Sequence, residues 1–276
     1  MNCSKPRNSD FDFGYRAVLV CLCLILAPGI GCDSESFAQE KNWGSLRGQF
    51  IFSGEIPEAD LLEITRDEEV CGAVGLKDES LVVHPESRGI RNVVIWLDTK
   101  TAPPAHPSLD VSDVLPRMDN KDCRFVPRIL PSRAGQPVEF TNSDPVAHNA
   151  AVYARRNQPF SEVIPMNSPL QKTFPRAETQ PIRVDCSIHS WMRGYLVITD
   201  HPYVAVSDEN GEFELSSLPT GEWTFRVWHE RATSLKTLET PTGHLALEKS
   251  QLKIEVAAEQ KDLGRLTIKA DQFRRN

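Results

Sequence analysis

The stretch Ile182-Arg-Val-Asp-Cys186-Ser-Ile-His189-Ser-Trp-Met192-Arg-Gly-Tyr-Leu-Val-Ile-Thr199 holds two strand patterns joined by a loop that carries a thiol, an imidazole and a thioether. Ile182–Asp185 alternates apolar and polar residues. Gly194–Thr199 is a β-branched and aromatic run, and both are expected to be strands. A loop between two strands can turn its side chains toward one point. Cys186 and His189 alone would be a weak signal, because zinc sites and chance both produce Cys-x-x-His. Zinc normally completes its shell with nitrogen, sulfur or carboxylate ligands and rarely with Met, so Met192 moves the reading toward another metal.

Upstream, Arg133-Ala-Gly-Gln-Pro-Val-Glu-Phe-Thr-Asn142 leads into Ser-Asp-Pro-Val-Ala-His148-Asn149 and then the strand-like Asn149–Tyr153. His148 adds a second imidazole beside a strand. Two imidazoles and a thiolate in a plane, with a weak axial thioether, suit copper in both oxidation states. The thiolate and thioether favour Cu(I), while the imidazoles also serve Cu(II). A cage that barely moves between the two keeps single-electron transfer fast. One copper ion held by His148, Cys186, His189 and Met192 is the expected cofactor. A hydrogen-bonded surface histidine is the plainer account of His189 taken alone.

These residues resemble the cupredoxins. The likeness covers about residues 120–200, and the gap between His189 and Met192 is that of the short-loop, amicyanin-like members. The resemblance implies a Greek-key β-sandwich, with His148, Cys186 and His189 as equatorial ligands and Met192 as the axial one. It also implies that Asn149 ties the two ligand loops together and helps hold the thiolate. Here the ligand loop has Ser187, Ile188 and Ser190 where amicyanin-like loops carry prolines, so it is more polar. No second cysteine in the loop allows a two-copper centre. Trp191 is a candidate contact through which electrons reach the site; ordinary packing is the competing account. The methylamine-utilisation-type cupredoxins share the pattern, but no methylamine chemistry is visible in the residues.

The flanks are also strand-like. Leu46–Phe52, Val93–Leu97, Val138–Thr141, Trp223–Trp228, Leu252–Val256 and Leu263–Ile268 are expected strands, and Asp208-Glu-Asn-Gly211 an expected hairpin turn. Glu58–Val70 gives the one hint of a helix. Ser207-Asp-x-x-Gly-x-Phe213 with Leu218-Pro-x-Gly-x-Trp223 looks like the latter half of a carboxypeptidase-regulatory-like, transthyretin-type sandwich. Gly48-Gln-Phe, Gly54-Glu-Ile-Pro57 and Val93–Leu97 read as its first half. The fold class is all-β: a cupredoxin-like Greek-key β-sandwich plus a second β-sandwich. Residues 39–101 and 201–276 are expected to form the second sandwich, and 102–200 the copper module, inserted into it or in series with it. His229-Glu230 could be a metal or substrate pair, or a structural hydrogen bond.

The chain has 276 residues, a net charge of −7, 20 prolines and 7 cysteines. Without a basic stripe, nucleic acid is not an expected partner. Lys5, Arg7 and Arg16 precede the apolar run Ala17–Ala27, so residues 1–38 read as a signal peptide, with Ser36-Phe-Ala38 or a lipidated Cys32 as competing ends. The protein is then exported, periplasmic or extracellular, and meets a membrane only through that segment or a lipid anchor. Beyond it remain Cys71, Cys123 and Cys186. In an oxidising compartment Cys71 and Cys123 are proposed to pair, leaving Cys186 as a metal thiolate; alternatively any two pair and the third is a buried thiol. Redox proteins are the expected partners, so an electron carrier is expected rather than an enzyme. The rival readings are a carbohydrate- or protein-binding module for the cell envelope, with structural or no metal, and periplasmic copper storage or delivery.

Overall fold

Two apolar runs that lack alternation, Val93–Leu97 and Gly194–Thr199, lie at the centre of the molecule. The computed structural model describes residues 43–109, 114–166, 169–232 and 234–273. The signal segment expected over 1–38, with Cys32, falls outside the described residues.

In chain order the strands are β1 (Trp43–Ser53) and β2 (Val94–Leu97), then β3 (Arg117–Lys121), β4 (Arg124–Val126), β5 (Ile129–Arg133), β6 (Pro137–Asn142) and β7 (His148–Val152). Next come β8 (Phe160–Ile164), β9 (Leu170–Thr173), β10 (Ile182–Asp185) and β11 (Arg193–Thr199). The last are β12 (Val204–Val206), β13 (Glu212–Pro219), β14 (Gly221–Trp228), β15 (Thr237–Thr240), β16 (Gly243–Ala246), β17 (Gln251–Val256) and β18 (Gln260–Lys269). They form four sheets, ordered β13-β1-β18-β15-β16, β12-β2-β14-β17, β5-β11-β10-β7-β8 and β4-β3-β6-β9. The fold class is therefore all-β. The first two sheets draw strands from both ends of the described chain, and β3 to β11 supply the other two.

Three apolar layers separate these sheets. Leu46, Phe50, Phe213 and Leu266 meet Ile95, Leu97, Phe225 and Leu252 between the first and second. Val94, Trp96 and Trp228 meet Ile129, Tyr195 and Val197 between the second and third. Leu130, Val152, Leu196 and Ile198 meet Met118, Phe125, Val138 and Phe140 between the third and fourth. Successive side chains of a strand point to opposite faces. On β2, Val94 and Trp96 thus face the middle layer while Ile95 and Leu97 face the first. A strand covered on both faces keeps no polar side, which accounts for the unbroken apolar runs. In the outer sheet, β6 buries Val138 and Phe140 and leaves Glu139 partly open, so it alternates.

Between β1 and β2 the chain makes an excursion onto the third layer. Leu62, Ile64, Val70 and Leu76 pack there, and Cys71 is joined to Cys123 with a Cα–Cα distance of 5.5 Å. The helix suggested over Glu58–Val70 is confined to α1 (Glu68–Cys71). Leu62 and Ile64 are two residues apart, a strand spacing, and the Leu62 N–H donates to the Leu76 carbonyl at 2.9 Å.

The expected hairpin at Asp208–Gly211 is corrected. Its turn passes the chain from β12 in the second sheet to β13 in the first, so the flanking strands are not paired with each other. Gly211 has φ +80, and a Cβ there would lie 2.3 Å from the Phe50 carbonyl oxygen. The sequence signal identified a tight turn but could not say which sheets it joins.

Candidate metal centre

His148, Cys186 and His189 meet at one end of the third sheet, and Met192 stands at the same end, in the loop before β11. β10 lies between β7 and β11, antiparallel to both, so the start of β7, the end of β10 and the start of β11 share that end. His148 is the first residue of β7, Cys186 follows β10, and Met192 precedes β11. The loop between Cys186 and Met192 closes on itself. The Cys186 N–H donates to the Met192 carbonyl at 3.2 Å and the Met192 N–H to the His189 carbonyl at 3.0 Å. Before His148, Asn142 shapes the other loop: its side-chain oxygen accepts from the Asp144 N–H at 3.0 Å and its amide donates to the Val146 carbonyl at 2.9 Å.

His148 and His189 are fully buried, and Cys186 and Met192 nearly so, the last two within the third apolar layer. Ligand atoms of His148, Cys186 and His189 all lie within 4.8 Å of one another. The two Nδ1 atoms are 3.0 Å apart, and Cys186 Sγ is 3.7 Å from His189 Nδ1. Behind each imidazole stands a carboxylate: Asp144 Oδ2 is 2.9 Å from His148 Nε2, and Asp67 Oδ2 is 2.8 Å from His189 Nε2. A carboxylate only accepts, so a proton on each Nε2 satisfies it, and that tautomer leaves each Nδ1 with a lone pair. Two lone pairs at 3.0 Å repel unless a positive centre lies between them. Burial, and then the neighbouring His189, hold His148 below the ordinary histidine range, against the opposing pull of Asp144 and Asp67. A neutral imidazole is the form that binds a metal.

The donor set fits a metal ion that accepts nitrogen and sulfur. Among the described residues, a second group, Cys123, Asp144 and His148, also clusters, but its sulfur belongs to the disulfide. Asn149 accepts from the Ser187 N–H and donates to the Ser187 hydroxyl at 3.1 Å and the Ser161 hydroxyl at 2.9 Å. It thereby links β7 to the ligand loop after Cys186. Trp191 is half-buried, its ring centroid 5.0 Å from that of His189, and its indole N–H donates to the Cys123 carbonyl at 3.3 Å. His229 and Glu230 part company: His229 is buried just after β14, while Glu230 receives a bidentate ion pair from Arg128 at 2.6 and 2.8 Å.

Sequence reasoning missed both carboxylates. Asp144 stands four residues before His148, close enough to be found as a partner. Asp67 lies 122 residues from His189, and no local pattern marks it.

No protein-family model matches the chain, and no curated protein does either. Among solved structures, a copper-containing nitrite reductase from Thermus scotoductus SA-01 is similar over 36% of this chain and 27% of its own, with 21% identity and a TM-score of 0.30. A reduced amicyanin mutant is similar over 38% of this chain and 97% of its own, with 20% identity and a TM-score of 0.28. An oxidised amicyanin mutant gives 19% identity at the same coverage and TM-score. Likenesses this partial leave the assignment of ligands to the side chains themselves.

Proposed function

We propose that the protein is an exported blue-copper electron carrier, with one copper ion bound by His148, Cys186, His189 and Met192. The observation that carries the reading is the pair of Nδ1 atoms 3.0 Å apart, with a buried thiol 3.7 Å from one of them. A bound copper ion supplies a one-electron couple. The chain supplies a thiolate and a thioether that stabilise the reduced state and two imidazoles that serve the oxidised one. The ligand loop, closed by its own backbone hydrogen bonds and tied to β7 through Asn149, holds the donors in place across that change. Because all four side chains are buried, no open coordination position faces solvent, which favours an electron carrier over an enzyme.

Export is supported by the Cys71–Cys123 disulfide, since such bonds persist in oxidising compartments. We take residues 102–200 as the copper module, inserted between two parts of one sandwich, 39–101 and 201–276. The antiparallel pairing of β2 with β12 supports this, because it sets the two junctions side by side. Redox proteins are the partners this reading calls for.

The test is a titration of the metal-free protein with Cu(II), alongside Cys186→Ser. The wild type takes up one ion and becomes intensely coloured through thiolate-to-copper charge transfer, and Cys186→Ser abolishes the colour. A variant that keeps the wild-type spectrum would overturn the ligand assignment. A colourless wild type that binds only Cu(I) would point to storage or delivery, and one that binds neither ion to a metal-free binding module.

A further inference from the structure

Asp67 comes from the excursion between β1 and β2, outside the strands that carry the four donors. We propose that it is a positioning residue of the metal centre: it fixes the His189 tautomer, closes the site from solvent and lowers the reduction potential. The inference rests on the copper reading above.

Four observations converge. Asp67 stands at the N-cap of α1, where an aspartate ordinarily accepts from the first N–H groups of its own helix. Here the side chain makes no such bond. Only its backbone carbonyl serves the helix, accepting from Val70 at 3.0 Å and Cys71 at 2.8 Å, and Oδ2 is turned to His189 Nε2. Second, Asp67 has φ +50, a left-handed conformation uncommon outside glycine and retained where the surroundings over-determine it. Third, the His189 side chain has no exposed surface while that of Asp67 is 38% exposed, so the carboxylate is the outermost group over the imidazole. Fourth, the excursion is fastened close by. Val70 packs on the third layer, and Cys71, four residues on, is bonded to Cys123, whose carbonyl accepts from Trp191 of the ligand loop.

The chemistry follows from the two atoms of contact. An Nε2–H donated to a carboxylate leaves Nδ1 as the donor atom and makes it more basic. A fixed negative charge behind the ligand also stabilises Cu(II) more than Cu(I), because the oxidised site carries one more positive charge. Asp144 plays the corresponding part for His148, but it also accepts from the N–H groups of Asp122 at 2.7 Å and Cys123 at 2.9 Å, which share its charge.

Two variants separate the effects. Asp67→Asn keeps an acceptor oxygen and removes the charge, and asparagine tolerates a left-handed backbone. Asp67→Gly removes both and is at ease at φ +50. In the metal-free protein, long-range proton–nitrogen NMR should find His189 as the Nε2–H tautomer in the wild type and in Asp67→Asn, and as a tautomer mixture in Asp67→Gly. Chelator competition should show Asp67→Asn binding Cu(II) about tenfold more weakly at unchanged Cu(I) affinity. That ratio corresponds to a rise in potential of about 59 mV. A wild-type His189 protonated on Nδ1, or an unchanged ratio of Cu(II) to Cu(I) affinity in Asp67→Asn, would sink the proposal while leaving the copper reading intact. If the wild type binds neither ion, the copper reading falls by itself, and the tautomer measurement decides whether Asp67 orients His189.

Discussion

His229 is buried at the end of β14, where its Nδ1 accepts from the Arg231 N–H at 3.2 Å. Burial first, then the charges of Arg128 and Arg231, push its pKa down to about 3 from 6.5. The unfolded chain therefore binds a proton across a range where the folded protein does not. The stability that His229 contributes is complete above pH 6.5 and is lost as the pH falls toward about 3. Urea unfolding between pH 7 and pH 4 should show this decline, and His229→Gln, which cannot titrate there, should flatten it; an unchanged slope would assign the effect elsewhere. At this scale the sequence was legible where chemistry is local. The thiol, two imidazoles and thioether announce themselves by type and by their position beside strands. Asp67 does not, because a carboxylate is ordinary on any surface and its meaning lies in what the folded chain brings opposite it. The His-Glu dipeptide could not be decided for the same reason: past the end of β14 the chain turns, and His229 and Glu230 serve different surroundings.

β5 and β14 approach across the middle apolar layer, and Arg128 joins Glu230 at the layer's edge. The Arg128 side chain is 13% exposed and that of Glu230 4%, so this pair is largely screened from water. Removing one charge leaves the other buried without its partner, which costs about 3–5 kcal/mol. Glu230→Gln should therefore lower unfolding free energy by about 3 kcal/mol in a denaturant titration. Replacing both residues with apolar ones of similar volume should recover much of that loss; if the single change is neutral, the pair does not hold the sheets together. The strands themselves were readable. Runs such as Val93–Leu97 could not be other than strands in a chain so dense in proline and turn residues. Their layer was not readable, because an unbroken apolar run states that both faces are covered and not by what. The turn at Asp208–Gly211 failed likewise, since a positive φ at glycine is as useful for changing sheets as for a hairpin.

At the level of the whole molecule, the Cys71–Cys123 bond closes a loop with a sequence separation of 52 and joins the first excursion to the β3–β4 corner. Chain-entropy reasoning gives such a closure about 4 kcal/mol of stabilisation. Cys71→Ala with Cys123→Ala should thus unfold at markedly lower denaturant, and loosening of the Asp67 excursion should show as faster amide exchange around α1. Equal stability in the double variant would mean that the packing of Leu62, Ile64 and Val70 suffices alone. The stacking of four sheets was beyond sequence reading, because it depends on pairings between strands more than a hundred residues apart, as between Val94 and Trp228.

One of those pairings bears on how such a molecule can be altered. Trp96 lies opposite Val204, so the long segment between β2 and β12 leaves and rejoins its neighbours at a single seam. A segment grafted at that seam has only to begin and end at neighbouring positions, whatever its length. Exchanging what β3 to β11 carry would also mean covering Val94, Trp96 and Trp228 afresh and freeing the excursion that Cys71 fastens to Cys123.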